Sequence, residues 1–309
     1  MNLIQIFTKF PTQESCIKHL ENTRWKNGVI CPYCNSNKTC THKAKEGERV
    51  RERQQCWNCN KSFSVTVGTI FHNTHLPIQK WFLAISLMLN AKKGISSRQL
   101  ARDLELPVKT AWSVNHRIRK AMKQDSGLLS GIVEMDETYV GGKPRKEAKK
   151  KDKDNNDFGD SDNGGNPRGR GTKKECVVGM IERNGKVKAS NVDKENLKAK
   201  DLKELVRNNV DLDNTILMTD EYRGYMTMKR IINHLQINHQ KEFANGVIHT
   251  NTIESFWAIL KRGIMGQFHK VSKKYLNAYV DEFCWRFNER ENKGSFDKLV
   301  GNMLFSMSN

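Results

Sequence analysis

The chain has 309 residues, which is enough for two or three domains rather than one. Its net charge of +19 favours a polyanionic partner such as nucleic acid, without deciding between DNA and RNA. The longest apolar stretch, 81–89, is too short for a membrane-spanning helix, which needs roughly 20 residues. The first residues lack the features of a signal peptide, so we expect a cytoplasmic, nucleoid-associated protein.

The N-terminal part combines a short helix with a cysteine-rich segment. Residues 2–20 are expected to form the helix, and a β-rich segment follows to about residue 74. Cys31/Cys34 and Cys56/Cys59 form two C-x-x-C pairs with 21 residues between them. Each pair suits a tight turn that directs two thiolates at one ion, and two such turns complete a tetrahedral site. Redox-active pairs are the alternative, but this doubled spacing favours a structural Zn²⁺ in a zinc ribbon.

The other cysteines carry weaker signals. Cys40 and His42 lie between the two pairs and are possible substitute ligands. Cys16, Cys176 and Cys284 are expected to be buried, because cysteine outside metal sites behaves as a small apolar residue.

Residues 76–122 have a helical pattern that contains a candidate helix-turn-helix at 96–120. Ser96 or Ser97 can cap the first helix, and Pro107 marks the start of the second. Glu105 stands in the turn, where glycine is common. The inward face of the first helix comprises Leu100, Ala101 and Leu104. The second helix is predicted to present to DNA Lys109, Thr110, Ser113, Asn115, Arg117 and Arg119. A helical linker or dimerisation bundle is the alternative.

A strand is predicted over 131–140, and a segment of different composition follows it. Residues 143–174 are rich in Lys, Asp, Asn and Gly and contain almost no apolar residue, so we expect a mobile basic insertion. Its basic side chains are as consistent with a solvated loop as with contacts to the DNA backbone. These side chains are Arg168, Arg170, Lys173 and Lys174.

The C-terminal half alternates strands with helices. Two strands joined at Asn184–Gly185 form a predicted hairpin, because this dipeptide favours a tight turn. A helix over 197–210 and a buried strand over 215–220 follow. Two longer helices are predicted over 253–264 and 273–290.

Three acidic residues in this half suit a two-metal site. Asp136 lies within the predicted strand beside Glu134 and Glu137, and Asp220 ends the buried strand. Glu254 begins a helix 34 residues later, and Lys261 lies about two turns further along the same face. Three carboxylates can hold two divalent cations roughly 4 Å apart, which suits phosphoryl transfer.

The chain resembles the DDE insertion-sequence transposases, in particular the ISXO-like group with a zinc ribbon ahead of an RNase H-like catalytic domain. The resemblance covers nearly the whole chain and rests on the two C-x-x-C pairs and on the motifs around Asp136, Asp220 and Glu254. It implies that Asp136 and Asp220 are metal ligands. Some members have Asn as the third ligand, which would be Asn251 here. We favour Glu254, because a carboxylate holds a hard cation better than an amide does.

The predicted fold is α/β: an RNase H-like mixed sheet flanked by helices, preceded by a zinc ribbon and a helix-turn-helix. The predicted domains are 1–75, 76–127 and 128–293, followed by a tail at 294–309. The predicted activity is Mg²⁺- or Mn²⁺-dependent cleavage of double-stranded DNA at element ends and strand transfer into target DNA, by a homodimer or larger assembly. A non-catalytic DNA-binding regulator, an inactive transposase remnant and a simple nuclease are the alternatives.

Overall fold

A computed structural model describes residues 1–42, 53–123, 127–141, 174–193, 197–237 and 249–305. The chain divides into two compact units. The first comprises Met1–Lys123 and Asp281–Asn309, and the second comprises Gln124–Val280. The predicted basic insertion lies outside the described residues, apart from Lys174 at its end. Within the described part of the chain, no helix is long and apolar enough to cross a membrane.

The first unit begins with two helices where we predicted one. Helix α1 spans Leu3–Lys9, and α2 spans Gln13–Arg24. Thr12 causes the interruption, because its side chain accepts a hydrogen bond from the Ser15 N–H and starts a new helix.

A small antiparallel sheet follows, with strand order β1-β2-β3. Strand β1 spans Thr39–His42, β2 spans Arg53–Cys56 and β3 spans Ser62–Phe63. Phe63 is fully buried and packs with Cys31 and Cys56. The predicted cysteine-rich β segment is therefore present.

Three helices follow: α3 (Ile78–Asn90), α4 (Ser97–Asp103) and α5 (Val108–Ala121). Ser96 caps α4 through the Gln99 N–H. Glu105, in the turn before α5, has a φ of 51°, so it adopts the left-handed conformation that usually favours glycine. The inward side chains are buried as predicted: Leu100, Ala101 and Leu104.

The C-terminal segment is part of the first unit's core and not the tail that we expected. Residues Ser295–Phe305 form helix α9. It contributes a row of fully buried side chains, Phe296, Leu299, Val300 and Met303, to the cluster that contains Trp81 and Phe82. Their recurrence every three or four residues is the period of one helix face.

The second unit contains a five-stranded mixed sheet. Its strands are β4 (Leu129–Val140), β5 (Glu175–Glu182), β6 (Val187–Val192), β7 (Val210–Thr219) and β8 (Asn233–Gln236). The order is β6-β5-β4-β7-β8, with β4, β5 and β6 antiparallel and β7 and β8 added in parallel. Three antiparallel strands extended by two parallel ones constitute the RNase H-like arrangement, which confirms the predicted fold class. Strand β8 was not predicted.

Helices belong to both faces of this sheet. Helix α6 (Ala199–Asn209) shares a hydrophobic cluster with Val133 and Met135 of β4. Helix α7 (Asn251–Gly263) lies against the opposite face and continues into a π-helical turn at Ile264–Phe268. Helix α8 (Lys273–Asn288) follows. Because side chains alternate along a strand, Glu134 and Asp136 point toward α7.

Candidate active site and metal centre

The four predicted zinc ligands lie together. The sulfur atoms of Cys31, Cys34, Cys56 and Cys59 are all within 4.8 Å of one another. The Sγ–Sγ distance is 3.7 Å for Cys31–Cys59 and 3.5 Å for Cys34–Cys56. A tetrahedral zinc with bonds of about 2.3 Å needs sulfurs roughly 3.8 Å apart, so the four thiols fit this ion.

Each C-x-x-C pair ends in the same backbone turn. Asn35, directly after Cys34, has a φ of 57°, and Asn60, directly after Cys59, has a φ of 53°. Asparagine tolerates this left-handed conformation better than most residues do. The two equivalent turns bring both thiolates of each pair to the same side, as a closed structural site requires.

Asp136 and Asp220 come from neighbouring parallel strands. Strands β4 and β7 pair in a register that ends with Met135 opposite Thr219, and the two aspartates follow directly. Burial, followed by the charges of Glu137 and Asp220, raises the pKa of Asp136 to about 7. A bound divalent cation would relieve the mutual repulsion between these half-buried carboxylates, so this donor set fits a hard metal ion.

Trp257 connects Asp136 to α7. Its Nε1–H donates a hydrogen bond of 3.0 Å to Oδ2 of Asp136. Its ring packs on Gly179 of β5, where an added Cβ would lie 2.5 Å from the indole. Glycine at this position therefore permits the close contact of helix and sheet. Because Trp257 and Asp136 lie 121 residues apart in the chain, no local sequence pattern indicates this hydrogen bond.

Glu254, Asn251 and Lys261 all lie on α7. Glu254 and Asn251 are exposed in its first turn, and Lys261 is exposed two turns after Glu254. Oε1 of Glu254 accepts a hydrogen bond of 3.4 Å from Thr250. Among the described residues, the cysteines alone form a group of three or more potential metal ligands, so Asp136, Asp220 and Glu254 do not converge as closely as the thiols do.

Two of the predicted DNA-contacting residues are buried instead. Asn115 is fully buried, and its side chain donates to Oγ of Ser97. Arg119 is 1% exposed and forms an ion pair of 2.6 Å with the buried Glu282. Both side chains hold α5 in the first unit and are therefore removed from the candidate DNA-facing set.

The other α5 candidates differ in their surroundings. Lys109 and Ser113 are exposed, and Thr110 is half-buried. Arg117 donates to the carbonyl oxygens of Ile70 and His72, and its guanidinium lies 5.2 Å from the centre of the Trp81 ring. Arg117 is therefore held by internal contacts.

A cysteine ribbon, a two-helix segment and an RNase H-like sheet with adjacent half-buried carboxylates are together typical of the DDE transposases. Comparison with family models identifies the family: residues 128–288 match the ISXO2-like transposase domain, and residues 11–62 match the transposase zinc-ribbon domain. The chain belongs to the ISXO2-like transposase family and is a DDE-family transposase of an insertion sequence.

Two curated relatives agree with this assignment. An uncharacterized protein in transposable element ISH50 of Halobacterium salinarum is 27% identical over 282 residues, covering 90% of this chain and 91% of the relative. An uncharacterized transposase-like protein of Haemophilus influenzae is 31% identical over 105 residues, covering 34% of this chain and 84% of the relative.

Among solved structures, a pre-cleavage Mos1 transpososome matches 72% of this chain and 79% of its own chain, with 14% identity and a TM-score of 0.27. The fold assignment rests on the strand order and not on this match.

Loss of one thiolate should release the zinc. We expect the purified protein to contain about one zinc per chain and Cys56→Ser to lose it and unfold the ribbon, because metal binding supplies folding free energy. Elemental analysis measures this directly, and Cys40→Ser, between the pairs, should keep its zinc. Full zinc content after replacement of all four ligands would contradict the assignment.

Asp136→Asn should stabilise the protein at alkaline pH when no divalent cation is added. The folded state holds the proton of Asp136 up to a pKa of about 7, against the ordinary value of 3.8 for an aspartate, so the free energy of unfolding falls as pH rises through this window. At pH 8 the free energy of unfolding of the variant should exceed that of the parent protein by up to about 4 kcal/mol. This difference should shrink as the pH is lowered toward 4. Denaturant titrations measure it, and Asp213→Asn, exposed on β7, is the control. Equal stability of parent and variant at pH 8 would contradict the expectation.

Proposed function

We propose that the protein binds the ends of its insertion sequence, cleaves the DNA there and joins the freed 3′ ends to target DNA. The observation that carries the proposal is the neighbouring position of Asp136 and Asp220, directly after the last residue pair of the parallel strands β4 and β7. Cleavage and joining are both in-line substitutions at phosphorus, so one acidic site can serve both steps.

Asp136 and Asp220 would hold Mg²⁺ or Mn²⁺ in this site. When bound, such cations stabilise the negative charge that develops on the attacking and leaving oxygens of a phosphodiester. Trp257 keeps Oδ2 of Asp136 hydrogen-bonded and thereby limits rotation of the carboxylate. The positive charge of Lys261 suits contact with a DNA phosphate near the site.

We assign the third acidic position to Glu254. It lies three residues before Trp257, and residues at this spacing share a helix face, so the contact of Trp257 with Asp136 turns this side of α7 toward the aspartates. Asn251 lies three residues earlier still, at the first position of the helix. There it would at most orient Glu254 or a water molecule as a supporting residue.

The exposed face of α5 is our proposed DNA reader. Lys109 and Ser113 are exposed there, and Trp112 between them is 40% exposed. Thr110 lies on the edge of this face. Transposition requires two DNA ends in one complex, so we further propose that the protein acts as a homodimer or larger assembly.

Substitutions in the acidic site test the chemistry. Asp136→Asn, Asp220→Asn and Glu254→Gln should each abolish cleavage and strand transfer, because each removes a charge that balances divalent cations at nearly constant volume. Asn251→Ala should have a milder effect and slow cleavage by roughly 10- to 100-fold. Lys261→Ala should weaken the productive placement of DNA. Gel assays on labelled element ends with Mg²⁺ or Mn²⁺ measure both steps.

The pattern of losses also separates the alternatives. DNA affinity measured in parallel should remain unchanged in the three acidic-site variants. An active Glu254→Gln variant beside an inactive Asn251→Ala variant would assign the third position to Asn251. A parent protein that binds element ends without cutting them would favour an inactive remnant or a DNA-binding regulator. Cutting without joining would favour a nuclease.

Substitutions on α5 test DNA recognition. The double variant Lys109→Ala/Ser113→Ala should have a weaker preference for element ends over unrelated DNA. Its affinity should also depend less on salt, with a slope of log affinity against log salt concentration smaller by about one, which corresponds to one phosphate contact. The control is Lys18→Ala, which removes the same charge from an exposed position on α2. Binding titrations at several salt concentrations measure both quantities. If Lys18→Ala lost as much preference for element ends as the α5 double variant, the assignment to α5 would be refuted.

A further inference from the structure

Glu134 is a fully buried carboxylate two residues before Asp136. Its Oε2 accepts hydrogen bonds from the N–H groups of Thr252 and Ile253, at 2.8 and 3.0 Å. Its Oε1 accepts from Oγ1 of Thr252 at 2.9 Å and from Nε of Arg183 at 2.8 Å. These four donors occupy the roughly four lone-pair directions of a carboxylate, so no position remains for a metal ion or a reacting proton.

The bonds from Thr252 and Ile253 cap the first turn of α7. Thr250, at the N-cap position, makes no side-chain capping hydrogen bond, and Glu134 does so from 118 residues earlier in the chain. A carboxylate at a helix N-terminus satisfies unpaired N–H groups and interacts favourably with the helix dipole. The cap therefore joins α7 directly to strand β4.

Arg183 balances the buried charge. Besides its ion pair with Glu134, its Nη2 donates to the backbone oxygen of His249 at 2.9 Å and lies 3.0 Å from Nδ1 of the same residue. Arg183 directly follows β5, so two neighbouring strands hold the start of α7. A charge buried without such partners would be strongly unfavourable, so the contacts with Arg183 and α7 offset the cost of burying Glu134.

The contact between Trp257 and Asp136 is a second attachment of α7 to β4. Glu134 and Asp136 are two residues apart on a strand, or about 6.7 Å. Ile253 and Trp257 are four residues apart on a helix, or about 6 Å. The two attachments therefore match in spacing, and Glu254 lies between them on α7.

We propose that Glu134 is a positioning residue that fixes the N-terminus of α7, and with it Glu254 and Asn251, beside Asp136. The proposal rests on the proposed function for its catalytic consequence. Glu134 itself contacts neither metal nor DNA in this role. It acts through the backbone of Thr252 and Ile253.

The test compares Glu134→Gln with Glu182→Gln in the full-length, zinc-loaded protein. Glu182 also accepts backbone N–H groups in the same unit, from Ser130 at 2.6 Å and Lys186 at 3.0 Å, but it does not contact α7. In Glu134→Gln, amide exchange at Thr252 and Ile253 should accelerate by about tenfold or more. The single-turnover cleavage rate should fall by about 10- to 100-fold with unchanged DNA affinity. Glu182→Gln should change neither.

Thr252→Val provides a milder variant in case Glu134→Gln does not fold. It removes the hydroxyl donor and keeps both N–H bonds, so exchange at Ile253 and the cleavage rate should shift in the same directions by a smaller factor. Unchanged amide exchange in these variants would overturn the proposal. A smaller amplitude of single-turnover cleavage with an unchanged rate constant would also overturn it, because this pattern indicates that fewer molecules are folded and not that the site is misplaced. A parent without cleavage would count against the proposed function alone, since amide exchange still decides whether Glu134 holds α7.

Discussion

The candidate active site depends on the alternation of side chains along β4. Met135 faces the apolar cluster beneath the sheet, and Glu134 and Asp136 face α7. One strand thus presents a fully buried and a half-buried carboxylate on the same face, with opposite surroundings. Glu134 is neutralised by Arg183 and by the helix N-terminus, whereas Asp136 is left beside other negative charges. The first arrangement is stable by itself, and the second favours a cation.

The two proposed metal sites follow different physical requirements. The ribbon gathers four thiols around one point, supported by Phe63 and by matching turns at Asn35 and Asn60, as a closed structural zinc requires. The proposed acidic site would draw its donors from two strands and a helix. It would be the more open of the two sites, because only the cysteines form a tight group of potential ligands among the described residues. Openness suits a hard cation that must also contact a phosphate oxygen.

The large positive charge of the chain is only partly available to DNA. Arg119 and Arg286 both form ion pairs with the buried Glu282 of α8. The pair with Arg119 holds α5 to α8, whereas Arg286 and Glu282 lie one turn apart on α8 itself. Removal of Glu282 would leave two buried charges without their partner, which is a strongly destabilising change. Arg119 thus stabilises the position of the proposed reader, and in our proposal exposed residues such as Lys109 would contact DNA.

The sequence alone was sufficient to predict the cysteine cluster, because the C-x-x-C spacing is a local property of the chain. The RNase H-like fold followed from the resemblance to the DDE transposases, and the choice of acidic ligands stays a prediction. The sequence could not determine which polar and charged residues are buried. Asn115 and Arg119 are residue types that commonly contact DNA, yet residues distant in the sequence enclose both side chains. It also missed α9 as a core helix, since its burial depends on helices far away in the chain. Only the tertiary structure decided that Glu134 caps α7, because a hydrogen bond between residues 118 positions apart leaves no local pattern.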